Sequence, residues 1–433
     1  MKGLVDTVNQ DTERVFMVGV QLKADNAWCV EESMDELSEL VTTAGAIVVG
    51  RGSQRLDKFN AATFIGPGKA KEFSVECKES NVDTVVFDEE LNPAQGRNLE
   101  KIFECKILDR TALILDIFSQ RAQTREGKLQ VELAQLNHLL PRLTRFWTHL
   151  SRQKGGIGMR GGDGESQLEV DRRKVRERIG KIQRDLDLVM RNRDVQRTGR
   201  KRNQWPLGSM VGYTNAGKST LFNAITGAST LSEDKLFATL DPTTRRLKLP
   251  TNQNVLLSDT VGFIRKLPHD LIDAFKATLE EVIEADLLLH IVDVSSPYAE
   301  EQIEAVNLVL KDLGVEEKRT LMIFNKVDRI SSSGLSKRFT DQYSNSIAVS
   351  AKTGEGFDEL MAELGKQLRP IRKMVGISIP HSKSDIIARL HEVGQVLERN
   401  YDGDEAMFKA LIPPNYLDYF EQYLTNEDDF VNT

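Results

Sequence analysis

The sequence predicts an α/β protein of two to four domains. Three observations carry that expectation. At 433 residues the chain exceeds what one hydrophobic core ordinarily serves. Its first hundred residues alternate short apolar runs with amphipathic stretches, the pattern of strand and helix in an open α/β sheet. A glycine-rich phosphate-loop pattern, Gly212-Tyr213-Thr214-Asn215-Ala216-Gly217-Lys218-Ser219, then opens a second series of apolar runs.

Taken in order, Val15 to Leu22 reads as a strand, Glu31 to Thr43 as a helix and Ala46 to Gly50 as a second strand. Gly66-Pro67-Gly68 turns into a helix from Lys69 to Lys78. Asp83 to Asp88, with Thr84-Val85-Val86-Phe87 between, reads as a buried parallel strand, Pro93 to Glu104 as a helix and Lys106 to Leu108 as a short strand. The acids Asp88, Glu89 and Glu90 read as a solvated strand end rather than a paired-carboxylate site.

From Gly127 the period changes. Leu129, Leu133, Leu136, Leu140, Leu143, Trp147 and Leu150 alternate spacings of four and three, and Leu168, Val175, Ile179, Ile182, Leu186 and Val189 repeat the pattern. Two such narrow stripes are expected to pair as an antiparallel helical hairpin, with Pro141 dividing the first helix. Between them, residues 154–164 hold six glycines in eleven positions and are flanked by Arg152, Lys154, Arg160, Arg172, Arg173 and Lys174. A bare backbone with basic flanks can thread into folded RNA where side chains would clash, so residues 152–174 are expected to contact RNA.

Charge supports this. Residues 121–202 carry 21 Lys/Arg against 10 Asp/Glu within a chain of net charge -7, while residues 395–433 hold nine acids and two bases. A polyanion is the expected partner of the basic segment and not of the acidic C-terminus. No apolar run approaches the roughly 18 residues of a membrane span. The absence of a signal-like N-terminus and three scattered cysteines (Cys29, Cys77, Cys105) point to a cytoplasmic protein with reduced thiols.

In the phosphate loop, glycines let backbone N–H groups close on a polyphosphate, Lys218 would meet the β- and γ-phosphates, and Ser219 would ligate Mg²⁺ at the start of a helix ending at Gly227. The preceding stretch, Trp205 to Val211, contains Pro206 and Gly208 and reads as a weak strand. Phe237-Ala238-Thr239-Leu240-Asp241-Pro242-Thr243 suits a switch in which Thr239 or Thr243 could complete the Mg²⁺ shell. Asn254 to Ser258 reads as a strand ending in Asp259-Thr260-Val261-Gly262, where Asp259 would hold Mg²⁺ through water and the Gly262 N–H would meet the γ-phosphate. Leu287 to Asp293 and Leu321 to Phe324 are further strands. The second ends in Asn325-Lys326-Val327-Asp328, and Asp328 can accept from guanine N1–H and the 2-amino group, donors that adenine lacks. Asn325 would brace the loop and Lys326 cover the base. Ser350-Ala351-Lys352 could offer the Ala351 N–H to guanine O6. These patterns in this order predict a Ras-like P-loop domain with a mixed sheet that binds GTP and GDP.

Together with Gly127 to Leu133 (GKLQVEL), Gly155 to Gly158 (GGIG), Asp171-Arg172-Arg173, Asp259 to Ile264 (DTVGFI) and Leu267 to Leu271 (LPHDL), these motifs resemble the HflX family of translational GTPases over essentially the whole chain. The resemblance implies that Thr239 is the switch ligand to Mg²⁺, and that the protein binds the large ribosomal subunit in its GTP form and splits stalled or idle ribosomes. The family's hairpin tip usually reads RGPGETQLE, whereas Arg160 to Glu169 reads RGGDGESQLE, one residue longer. Phe263 stands where Ras-like GTPases carry the glutamine that orients water, so slow intrinsic hydrolysis accelerated by ribosomes is expected.

Expected domains are 1–110, an α/β domain; 111–203, the hairpin; 204–370, the P-loop GTPase domain; and 371–433, a small α+β domain read as strand, helix (Asp385 to Glu398), strand and helix (Tyr416 to Leu424). A monomer is expected. Two other readings share the motifs: a GTP-gated assembly factor that binds ribosomal RNA without splitting, and an ATP-driven RNA remodeller, against which Asp328 argues.

Overall fold

The computed structural model describes residues 12–22, 30–144, 167–203, 205–227, 236–237, 239–250, 253–266, 276–330, 333–368, 373–402, 405–412 and 416–425. The glycine-rich segment 154–164, Ala238 and the LPHDL stretch lie outside the described residues. Two compact units partition the chain. The first comprises Met1–Asp187 together with Glu233–Asp241 and Arg265–Lys276, and the second comprises the remainder.

In the first unit, β1 (Arg14–Leu22), β2 (Ile47–Leu56), β3 (Thr84–Phe87) and β4 (Lys106–Asp109) form a fully parallel sheet of order β2-β1-β3-β4. Helices α1 (Val30–Thr43), α2 (Pro67–Glu79) and α3 (Pro93–Phe103) connect successive strands, as parallel pairing requires. The β3 run Thr84-Val85-Val86-Phe87 is buried throughout, which is what a strand covered on both faces shows. One core joins Phe16, Val18, Phe73, Val85, Phe87, Leu99 and Phe103. Helix α3 starts sharply because Asn92 and Gln95 form a reciprocal capping box, with Pro93 at its first turn.

Three local expectations change. A helix the periodicity did not reveal, α4 (Arg110–Arg121), follows β4 directly, with Asp109 capping it through the Ala112 N–H. Helix α5 (Arg125–Leu139) stops two residues before Pro141, so the proline ends the helix as its missing donor demands. Its buried positions are Glu126, Gly127, Gln130, Val131 and Ala134, while Leu129, Leu133 and Leu136 are only half-buried. Helix α6 (Gln167–Asn203) pairs with α5 through a bidentate bond from Arg178 Nε and NH2 to the Glu132 carboxylate, at 2.6 and 2.7 Å, and buries Ile182.

The second unit is built on a six-stranded sheet of order β10-β9-β8-β5-β7-β6, formed by β5 (Leu207–Gly212), β6 (Thr243–Lys248), β7 (Asn254–Asp259), β8 (Leu287–Asp293), β9 (Thr320–Asn325) and β10 (Ser346–Ala348). It is parallel except for β6, which runs antiparallel to β7. The stretch of poor strand propensity is therefore a central strand, buried at every position of β5. Packing overrides propensity here: a Cβ on Gly208 would stand 3.0 Å from Leu257 Cδ2 and 3.5 Å from Leu368 Cδ1, so large neighbours already occupy that space. Helices α7 (Lys218–Thr226), α8 (Lys276–Ile283), α9 (Ala299–Asp312), α10 (Ser333–Gln342) and α11 (Phe357–Gln367) complete this part of the chain.

The C-terminal segment forms an antiparallel sheet of order β12-β13-β11-β14, from β11 (Lys373–Pro380), β12 (Gln395–Asp402), β13 (Glu405–Ile412) and β14 (Leu424–Thr425), with α12 (Ser384–Val393) and the short α13 (Leu417–Phe420). The helix expected through Glu398 ends at Val393, and Gln395 begins a strand instead. In β13, Ala406, Phe408, Ala410 and Ile412 alternate into one core.

Candidate functional site

The site is assembled at the carboxyl ends of β5, β7 and β9 in the second unit, the edge at which open parallel sheets place their ligands. The chain leaves β5 through Gly212, whose φ of +151° and whose missing Cβ, which would stand 2.3 Å from the Ile291 carbonyl oxygen, exclude any other residue. Gly217, at φ +90°, is equally constrained, because a Cβ there would meet Asn325 Nδ2 at 2.3 Å. Asn215 also lies in the left-handed region, at φ +59°. The chain from 212 to 217 is thus sharply bent before α7 begins at Lys218.

Polar groups converge on that loop. The buried Lys218 ammonium donates to the carbonyls of Tyr213 at 2.7 Å and Gly212 at 3.1 Å. Burial pulls its pKa down to about 8; neighbouring Asp259 opposes that shift and Lys326 adds to it. Ser219 Oγ donates to Asp259 Oδ2 at 2.7 Å. The Thr214 hydroxyl is buried without a hydrogen-bond partner among the described residues, a position that an incoming oxygen acceptor would satisfy.

The segment after β7 lies directly against the loop. Phe263 N–H donates to the Gly212 carbonyl at 3.1 Å, and Thr214 N–H donates to the Phe263 carbonyl at 2.7 Å. A Cβ on Gly262 would stand 2.8 Å from Thr214 Cγ2 and 3.0 Å from Lys218 Nζ, so only glycine permits this approach. Thr260 Oγ1 bonds the Met210 carbonyl at 2.6 Å, and Val261 is buried. Phe263 is itself buried and presents no polar side chain.

Asn325 joins the two ends of the site. Its Nδ2 donates to the Ala216 carbonyl at 2.9 Å and its Oδ1 accepts from the Ala351 N–H at 2.9 Å. Lys326, at φ +65°, donates to the Asn215 carbonyl at 2.7 Å and pairs with Asp293 at 2.7 Å. Asp328 is exposed, and its Oδ1 accepts from the buried Ser350 hydroxyl at 2.6 Å, which fixes the carboxylate's direction. Val327 is half-buried and Lys352 exposed. The Ala351 N–H is therefore already bonded to Asn325, which the sequence did not foretell.

The stretch 237–243 divides. Phe237 packs edge-on against Phe118 with ring centroids 4.6 Å apart, and Asp241 accepts from the N–H groups of Gln123 at 3.0 Å and Thr124 at 2.9 Å, and from the Thr124 hydroxyl. All of these residues belong to the first unit. Leu240 is buried and Thr239 half-buried. Thr243 lies in β6 opposite Asp259. The Asp241 carboxylate thus serves the N-terminus of α5, a role no local signal in the sequence betrays.

A GTP–Mg²⁺ complex requires an anion-cradling loop, an oxygen donor set and a base-selective carboxylate. Ser219 with Asp259 supplies hard oxygen ligands of the type Mg²⁺ takes, and Lys218 with Thr214 suits a phosphate. Among the described residues no His/Cys/Asp/Glu cluster suggests a separate metal centre, and no helix is long and apolar enough to cross a membrane.

The chain is similar to known proteins over most of its length. Residues 31–119 match the GTP-binding GTPase N-terminal family, 121–200 the GTP-binding GTPase middle region, 208–326 the 50S ribosome-binding GTPase family, and 335–410 the HflX C-terminal domain. The chain is 46% identical to GTPase HflX of Magnetococcus marinus over 91% of each chain. It is also 46% identical to GTPase HflX of Escherichia coli K12, covering 86% of this chain and 87% of that one. A crystal structure of SsGBP with GDP aligns with 82% of this chain and 98% of its own at 24% identity, with a TM-score of 0.47.

Proposed function

The chain belongs to the HflX family of GTPases, and from that premise we propose that it binds the large ribosomal subunit under GTP control and splits stalled or idle ribosomes. Lys218 would neutralise the β- and γ-phosphates while the backbone of residues 212–217 wraps them. Gly262 would offer its N–H to the γ-phosphate. When bound, Mg²⁺ would neutralise phosphate charge, held by Ser219 and Thr239 with Asp259 acting through water. Asn325, Lys326 and Asp328 would hold guanine, with Val327 beside it. The 350–352 loop would support Asp328 through Ser350 and share the Ala351 N–H between Asn325 and the base.

The observation that supports this reading is the pair of hydrogen bonds that Asn325 makes with Ala216 and Ala351, because they tie the 212–219 loop to the 325–328 and 350–352 segments. Buried Phe263 has no group to orient water, so this chain's own residues position GTP better than they activate its nucleophile. A polar group or an ordering of the switches supplied by the ribosome would then accelerate hydrolysis. Single-turnover GTP hydrolysis with and without 50S subunits tests this: stimulation of at least tenfold is expected, and equal rates at saturating GTP would refute it. RNA contact through residues 152–174 is part of the same proposal, resting on their charge and glycine content.

A further inference from the structure

The carboxyl edge of the first unit's sheet holds a built receptor for an ammonium group. In the order β2-β1-β3-β4 the direction of strand addition reverses between β1 and β3, the crevice where open α/β sheets accept ligands. Asp88 follows β3 at that crevice and is 3% exposed. It is held from three sides. Arg110 NH1 donates to its Oδ1 at 2.8 Å, the Ser33 hydroxyl to its Oδ2 at 2.6 Å, and its own N–H to the Val18 carbonyl at 3.0 Å. Arg110 is in turn paired with Glu36. Asp88, Glu89 and Glu36 bring three negative charges against the single charge of Arg110, so the crevice is one that favours a further cation.

That cation is Lys266. Its ammonium lies 2.7 Å from Asp88 Oδ2, 2.6 Å from Glu89 Oε1, 3.4 Å from the Asp88 carbonyl and 3.5 Å from Ser33 Oγ. Its backbone takes the left-handed φ of +57°, unusual for a residue with a Cβ. Lys266 stands four positions after Gly262 and three after Phe263, whose backbone bonds Gly212 and Thr214. Covalent continuity therefore ties displacement of the γ-phosphate-facing segment to a pull on Lys266.

We propose that Lys266 is a positioning residue that reports the state of the nucleotide to the first unit, with the Asp88–Glu89–Ser33 crevice as its receptor. The proposal rests on the GTPase reading given above and adds to it the side chain that links the nucleotide site to the unit bearing the α5 end of the hairpin. The preceding switch stretch has a parallel tether, because Asp241 is bonded to Gln123 and Thr124 at the start of α5. The crevice thus takes an internal ligand, a cationic side chain delivered by the chain itself.

Amide hydrogen exchange of the full chain, with GDP or a non-hydrolysable GTP analogue and Mg²⁺, tests it, nucleotide occupancy being measured by fluorescence in the same samples. In the wild type, exchange across residues 86–92 is expected to differ between the two nucleotides by about tenfold, the scale of a typical coupling. Lys266→Met should abolish that difference while nucleotide still binds, and Lys266→Arg should retain most of it. If Lys266→Met does not fold, Glu89→Lys, at a side chain 27% exposed, should remove the difference by repelling the ammonium. A full nucleotide-dependent difference in Lys266→Met or in Glu89→Lys would overturn the proposal, as would a wild type that binds both nucleotides with identical exchange. A wild type that binds no guanine nucleotide would sink the functional reading first.

Discussion

Replacing Asn325 by alanine removes both hydrogen bonds that close the nucleotide cradle, each 2.9 Å long and made by a side chain from a residue only 1% exposed. A net hydrogen bond contributes about 1 kcal/mol, and stranding its partner raises the cost to roughly 1–3 kcal/mol. The Ala216 carbonyl and the Ala351 N–H would both lose their partner, so the combined loss is about 2–6 kcal/mol, shared between the fold and the bound nucleotide. If about 2–4 kcal/mol of it falls on binding, guanine-nucleotide affinity weakens by roughly 30- to 1,000-fold. Titration with a fluorescent GDP, paired with thermal melting with and without nucleotide, separates a damaged site from a damaged fold. The variant should melt several degrees below the wild type without nucleotide, because both bonds exist there, and should also lose most of the nucleotide-induced rise. Binding within threefold of the wild type would refute the role given to Asn325.

Further outcomes follow from the same geometry. Asp328→Asn should exchange guanine for xanthine preference, read by competition between GTP and XTP; undiminished GTP affinity would contradict the assignment. Lys218 is charged below a pKa of about 8 and loses its charge above it in the nucleotide-free protein. Because the ammonium must meet phosphate, Kd should be flat below pH 8 and weaken by up to about tenfold per pH unit above it, with proton uptake seen by calorimetry. A pH-independent Kd from 7 to 9.5 would exclude that role. Gly208→Val should destabilise the second unit by about 1–3 kcal/mol through overpacking, lowering its melting temperature with no change in base preference. Burial, with Cys105 and Glu76 adding to it, pushes the Cys77 thiol up to about 12, so alkylation at pH 8 should require unfolding.

What was legible in the sequence was whatever is encoded locally. The phosphate loop and the Asn325–Asp328 run name their chemistry within a few residues, and Pro141 ends its helix as its missing donor requires. Distant partners were not legible. Asp88 looked like part of a solvated acidic strand end, but Arg110 and Lys266 reach it from far along the chain and make burial tolerable. The poor strand residues Gly208 and Ser209 became the centre of a sheet because β7 and β8 flank them on both sides. On α5 the leucine spacing suggested the buried seam, whereas Glu126, Gly127, Gln130, Val131 and Ala134 are the buried residues. The first residues of β12 read as helix because Gln395 to Glu398 continue the apolar period of α12, and only pairing with β13 reveals a strand.

Whether the protein separates ribosomal subunits is read from the light scattering of intact ribosomes after it is added with a non-hydrolysable GTP analogue. Scattering should fall as subunits separate, and should not fall with GDP. Unchanged scattering, with the protein nonetheless sedimenting on the 50S subunit, would contradict splitting and leave a GTP-gated ribosome binder in its place.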